Sequence, residues 1–238
     1  AAVALLSGAG IDARPVSSPE AAEVSGAVGP AVRATLAGLA NQIRTACARM
    51  GLDPWEVFGA SGTESPPTFD ASAAPALFTW GVRQWGASTE LLDRAAEINR
   101  SVPGYVITRL ADALNDAGKA VRGSKVAILG MAHKKDVDDP RESPGFELLN
   151  HLLKKGAAVS YNDPHIPSLP RMHHWSHLEP MHSQPLTAEY LAAQDCVLIA
   201  TDHTAYDYDF IVRHSKLVID TRNATRAITR GREKIVRV

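Results

Sequence analysis

A chain of 238 residues with 25 basic and 26 acidic side chains, a formal net charge of −1, has room for one large domain or two modest ones. It gives no electrostatic case for nucleic acid or an anionic membrane as a partner. Two cysteines, Cys47 and Cys196, are too few for a disulfide framework and fit a reducing, cytoplasmic setting.

In chain order, AAVALLSGAG at the start is apolar but lacks both the basic flank of a signal peptide and an initiator Met. It reads as a start inside a longer protein. No apolar run is long enough to span a bilayer. Residues 1–18 end in the short extended segment ARPVSS. From 19 to 118 alanine and leucine dominate and the reading is helical. Asp53-Pro54-Trp55-Glu56 is a helix start, with Asp at the N-cap, Pro in the first turn and Glu at N3. Another helix is expected from Ser88 or Thr89, with Leu91, Leu92, Ala95 and Ile98 on one face. Pro103 is expected to interrupt it. Val106, Leu110 and Leu114 then continue at helical spacing until Gly118. Residues 58–78, rich in Gly, Ser, Pro and Ala, read as a loop.

From about 123 the period changes. KVAILGM reads as a buried strand, and AAVSYND, CVLIATD and KLVIDTR read as further strands. Between them lie a helix capped by Ser143 and closed by Gly156, and two more in LTAEYLAAQ and YDFIVRHS. Strands alternating with helices imply right-handed crossovers and a parallel sheet. Ligands of such sheets sit outside the carboxyl ends of the strands. Those ends carry GMAHKKD, Asp163, Thr201-Asp202-His203 and Asp220-Thr221-Arg222. Lys134, Lys135 and Arg222 are therefore expected to face one crevice suited to a pyrophosphate, with Asp163 placed for a ribose hydroxyl. On pattern alone two readings stand: a nucleotide site, or a solvated loop of lysines and acids.

The string LGMAHKKDVDDPRESPGFELLNHLLKKGAAVSYNDPHIP, followed by DTR, resembles the C-terminal domain of the UDP-glucose/GDP-mannose dehydrogenase family. The resemblance is strongest to the branch that oxidises UDP-N-acetylmannosamine or UDP-N-acetylglucosamine at C6. Upstream, PVSSPEAAEV, NQIRTACARMGLDPWEVF, LFTWGVRQWG and AEINRSVPGYVITRLADALNDAGKAVRGSKV resemble the helical dimerisation domain of the same enzymes. Residues 61–76 lie outside the likeness. The resemblance implies an α/β fold: a helical central dimerisation domain over 19–118, then a doubly wound, Rossmann-like UDP-binding domain over 123–238. Residues 1–18 would be the remnant of an N-terminal NAD-binding domain. It implies a UDP-sugar as ligand. His133 and Lys134 match the segment that contacts the diphosphate, and Arg222 matches a phosphate-side arginine. NAD is the family's cofactor, but this chain is expected to hold none, which accounts for the missing GxGxxG.

The family's two successive oxidations need a cysteine that carries the thiohemiacetal and thioester, plus a Lys and an Asn on the long central helix. Counting back from LFTW places Asp70 at the cysteine position, and a carboxylate cannot carry a hemithioacetal. Gly26 stands at the Lys position and Pro30 at or next to the Asn. An interior Pro costs about 3 kcal/mol and each Gly about 1 kcal/mol, so SGAVGP is expected to kink or break that helix. Cys47 and Cys196 read as buried structural thiols.

His173, His174, His177 and His182 read as a solvated insertion rather than a zinc site, and Asp136–Asp139 as part of the UDP-domain loop, so no metal is expected. No nucleophile-elbow motif is present. Trp55, Trp80 and Trp85 read as core or interface anchors. The expected function is a truncated or degenerate nucleotide-sugar 6-dehydrogenase homologue that dimerises and holds a UDP-sugar without oxidising it. Three alternatives stand beside it. One is a remnant that binds nothing. Another is part of an active enzyme whose NAD domain lies upstream. The third is a regulatory heterodimer partner of an active paralogue.

Overall fold

The computed structural model describes residues 2–10, 12, 14–63 and 74–238. After a short helix α1 (Ala2–Gly8), four helices follow: α2 (Pro19–Arg49), α3 (Pro54–Ala60), α4 (Ala74–Gln84) and α5 (Glu90–Asp116). Ser18 caps α2 by accepting from the Ala21 N–H at 3.2 Å, and Asp53 caps α3 by accepting from Trp55 N–H at 2.9 Å, the latter as the sequence signal predicts. Ala31, Ala34, Ala37, Gly38 and Ala40 form the buried stripe of α2. Small side chains there let α5 approach closely. A Cβ at Gly38 would sit 3.0 Å from the backbone and Cβ of Ala95. Asn99 locks the pair by accepting from Asn41 at 3.1 Å and donating to the Ala34 carbonyl at 2.7 Å.

Two expectations are corrected here. α2 runs unbroken through Gly26 and Pro30, and α5 runs unbroken through Pro103. A proline removes one intrahelical hydrogen bond and crowds the carbonyl four residues back, but most helical stability in a folded protein comes from packing an apolar face. Pro103 is buried between Val102 and Val106 on such a face, and the buried alanine stripe of α2 begins directly after Pro30. The expected loop over 58–78 is also shorter at both ends, because 58–60 complete α3 and α4 begins at Ala74.

The second half is a sheet of five parallel strands: β1 (Lys125–Leu129), β2 (Ala158–Asn162), β3 (Cys196–Ile199), β4 (Val218–Asp220) and β5 (Ile235–Arg237). Their spatial order is β2-β1-β3-β4-β5. Three helices make crossovers: α6 (Pro144–Lys154), α7 (Ala188–Ala193) and α8 (Tyr208–His214). Side chains alternate between the faces. Val126, Ile128, Leu198 and Ile219 pack with α5 and α6. Ala127, Leu129, Val197, Ile199 and Val218 pack with α7 and α8. Helices on both faces make the sheet doubly wound. The C-terminal half of α5, from Val102 to Leu114, belongs to the same apolar core as α6, so α5 is continuous between the helical layer and the sheet. The edge strand β5 lies outside the strands read from the sequence.

Candidate nucleotide-binding site

In the order 2-1-3-4-5 the chain reverses direction across the sheet between β1 and β3. The crevice above their carboxyl ends is the ligand position of this topology. Gly130 makes the crevice floor possible. Its φ is +86°, and a Cβ there would fall 2.5 Å from Thr201 Cβ and 2.6 Å from the Thr201 carbonyl oxygen. Only glycine allows the end of β1 to lie so close to the end of β3.

Asp163 holds the crevice together. One carboxylate oxygen accepts from the Met131 and Ala132 N–H groups at 2.6 and 2.9 Å. The other accepts from the His165 and Ile166 N–H groups at 2.8 and 3.0 Å. His203 Nε2 adds a contact at 3.2 Å. Burial alone would push this carboxyl up, but His203 and the His165 and Met131 amides outweigh it, and the result lies below the ordinary carboxylate range. Its side chain is fully covered. The expected contact of Asp163 with a ribose hydroxyl is therefore corrected: the carboxylate faces inward and spends its lone pairs on the protein.

His203 is equally committed. Its Nδ1 accepts from the Asp136 N–H at 3.0 Å, which places the ring proton on Nε2, facing Asp163. Asp136, at φ +57°, then accepts from the Thr204 N–H at 2.7 Å and the Thr204 hydroxyl at 2.5 Å. The loop after β1 is thus pinned to the loop after β3. Asp136, His165 and His203 bring one potential metal-ligand atom each within 4.8 Å. The His203 nitrogen and the Asp136 carboxylate already serve the strut just described, and a cation would have to displace it.

This strut presents the basic groups. Arg222 donates from Nε to Asp202 at 3.1 Å, and Lys135 lies 4.0 Å from the same carboxylate. Asp220, fully buried, orients the Arg222 turn by accepting from the N–H groups of Arg222, Ala224 and Thr225. Lys134 is exposed and meets no hydrogen-bond or ionic partner among the described residues. His133 is half-buried, its N–H bonded to the Asp139 carbonyl at 2.7 Å and its ring 3.4 Å from the Glu142 carbonyl. Asp139 is held down to about 2 by the Arg141 side chain and backbone N–H. Lys135 and Arg222 thus meet through Asp202, with Lys134 on the adjoining loop.

A buried arginine of the helical layer lies near enough to Arg222 to feel its charge. Arg44, on α2, is buried and lies 4.7 Å from the centre of the Trp55 ring and 5.6 Å from that of Phe58. Burial first, and the charge of Arg222 second, lower its pKa to about 10. Nothing in the sequence pattern marks Arg44. The positions expected to lack chemistry fall elsewhere. Gly26 and Pro30 sit one turn apart on α2, and Pro30 is about 21 Å along the helix from Arg44 at 1.5 Å per residue. Asp70 lies outside the described residues. No glycine-rich turn follows β1, which leads into Met131-Ala132-His133-Lys134, so these residues do not fit a dinucleotide pyrophosphate in the manner of an NAD domain.

Several other expectations are settled by burial. Cys47 and Cys196 are buried and free, and burial pushes the Cys196 thiol up. The histidine-rich segment is not simply solvated. His173, His174, His177 and His182 are exposed, but Trp175 stacks on Phe146 at 6.1 Å, and Met172, Leu178 and Met181 pack on the core beneath. His177 pairs with Asn150 at 3.0 Å. Trp80 and Trp85 are exposed rather than in a core. No helix of the described residues is long and apolar enough to cross a membrane.

Comparison with known proteins agrees with this geometry. Residues 127–227 match the model of the UDP binding domain of the UDP-glucose/GDP-mannose dehydrogenase family. Over 201 residues the chain is 26% identical to the UDP-N-acetyl-D-mannosamine dehydrogenase of Methanococcus maripaludis, covering 78% of this chain and 44% of that one. It is 26% identical over 194 residues to an NDP-N-acetyl-D-galactosaminuronic acid dehydrogenase of Ralstonia solanacearum, covering 77% and 43%. The crystal structure of an NDP-N-acetyl-D-galactosaminuronic acid dehydrogenase from Methanosarcina mazei superimposes with a TM-score of 0.76 at 22% identity, over 92% of this chain and 50% of that one. The chain spans about half the length of the relatives it matches. By its switch-point crevice, its strand order and these likenesses, the sheet domain resembles the UDP binding domain of the UDP-glucose/GDP-mannose dehydrogenase family, whose model matches residues 127–227.

Proposed function

We propose that this chain holds the diphosphate of a UDP-N-acetylhexosamine in the β1/β3 crevice, pairs with a second chain through its helical layer, and does not itself oxidise the sugar. The observation that carries the reading is the convergence of Lys135 and Arg222 on Asp202 at the strand ends where this topology binds ligands, with the exposed Lys134 next in the chain. An Arg fork and a Lys point charge suit a pyrophosphate. In this reading Lys134 and Arg222 contact phosphate oxygens, His133 borders them, and Asp163 fixes the loops from behind.

Pairing is supported by the outer face of α2. Val24, Val28, Val32, Leu36 and Leu39 follow one another at helical spacing and are 42–55% exposed, an apolar stripe that a monomer leaves in water. Trp80, on α4, is also exposed, and α4 packs on α2. Loss of oxidation rests on Asp70, Gly26 and Pro30, which offer neither a thiol, nor an ammonium, nor an amide at the positions the chemistry needs. The test supplies UDP-N-acetylglucosamine and NAD together, follows ligand binding by calorimetry, and follows NADH by absorbance. Binding without NADH is expected. Steady NADH formation, or no binding, overturns the reading.

A further inference from the structure

A second basic site lies at the far edge of the sheet, where the end of α2, the C-terminal half of α5 and β5 meet. The cavity there holds about 320 Å³, the lower end of the size range of small-molecule sites. Three guanidinium groups line it: Arg109 from α5, and Arg232 and Arg237 from the C-terminal segment. Asp53 is the single carboxylate among its lining residues, and its charge is already used. Its Oδ2 accepts from Arg237 at 2.5 Å, while its Oδ1 caps α3. Two of the last carbonyls of α2 are also paired, since Leu52 N–H donates to the Cys47 carbonyl at 2.9 Å and Gly51 N–H to that of Ala48 at 3.2 Å. Arg232 is exposed with no ionic partner among the described residues. Arg109 is half-buried, and its Nε is buried with no hydrogen-bond partner among the described residues.

A buried donor on a charged group without an acceptor is unfavourable. Two cations beyond the one neutralised by Asp53 make the cavity a place for an anion. The number of donors decides the class. A guanidinium fork pairs with carboxylate and phosphate alike, but several forks around one cavity suit the multiple oxygens and charge of a phosphate better than a single carboxylate. Leu52 and Ile235 supply an apolar wall for the remainder of a ligand. We propose that this cavity is a second anion site, separate from the β1/β3 crevice, that takes the phosphate or pyrophosphate group of a small phosphorylated molecule. Because the lining comes from both layers, a bound anion ties the helical layer to the edge strand of the sheet.

The test uses inorganic pyrophosphate as probe, titrated calorimetrically into the chain carrying Lys134→Ala and Lys135→Ala, which lowers competition from the crevice. Saturable binding is expected there. Adding Arg232→Gln, at an exposed position that leaves the core untouched, weakens it about tenfold, as does Arg109→Gln. Circular dichroism checks that each variant is folded. Absence of saturable binding in the lysine background overturns the proposal, as does binding that both arginine variants leave unchanged.

Discussion

Asp163→Asn changes one atom, yet it is expected to be among the most damaging substitutions in the sheet. The carboxylate accepts from four backbone N–H groups and faces His203 Nε2. An amide keeps one acceptor oxygen and turns an NH2 toward the others, so at least two buried donors lose their partner whichever way it is placed. At about 1–3 kcal/mol for each orphaned group, the expected loss is roughly 2–6 kcal/mol, a large part of the 5–15 kcal/mol typical of a domain. Urea unfolding at pH 7 reads this as a lower midpoint at an unchanged slope. The same group predicts an acid sensitivity. Its folded pKa lies below the ordinary value, so its contribution is complete above the unfolded carboxylate pKa of about 3.9 and fades as pH falls through the lower folded value. The Asn variant lacks that component. A variant within about 0.5 kcal/mol of the parent, with the same acid transition, would refute the account of how the crevice is held.

Gly130→Ala forces a Cβ to within 2.5 Å of Thr201 Cβ at a φ of +86°. A loss of at least about 1–3 kcal/mol is expected from the backbone conformation alone, read by thermal melting, together with weakened UDP binding. Val32→Glu with Leu36→Glu places two charges on the exposed stripe of α2. Light scattering after size exclusion is expected to find the parent as a dimer and the variant as a folded monomer, and a monomeric parent would contradict the pairing.

Much of the second half was legible because its signals are local. Ser143, Pro144 and Gly156 bound α6 where the cap residues place them, and the buried strands β1, β3 and β4 announce themselves as apolar runs. β5 did not, because Ile235, Val236 and Arg237 are only three residues long and follow a charged turn. Propensity misjudged α2 and α5 at their prolines, since the packing that carries each helix across is tertiary. Within the site, the convergence of Lys135 and Arg222 followed from strand-end logic. The inward turn of Asp163 did not, because an acid at a strand end reads the same whether it meets a ligand or four amides. His203 needed the fold to bring its ring to Asp136 and Asp163, 67 and 40 residues away. Arg109, Arg232 and Arg237 likewise share a cavity only once β5 is in place.

The central claim is that the β1/β3 crevice still holds a nucleoside diphosphate, and calorimetric titration of the chain with UDP tests it most directly. One saturable site per chain is predicted. Lys134→Ala and Arg222→Ala are each expected to weaken it by about tenfold or more, the loss of one charge-assisted phosphate contact. No heat and no thermal stabilisation at about 1 mM UDP, where a site of roughly −4 kcal/mol would be half filled, or binding indifferent to both substitutions, would contradict it.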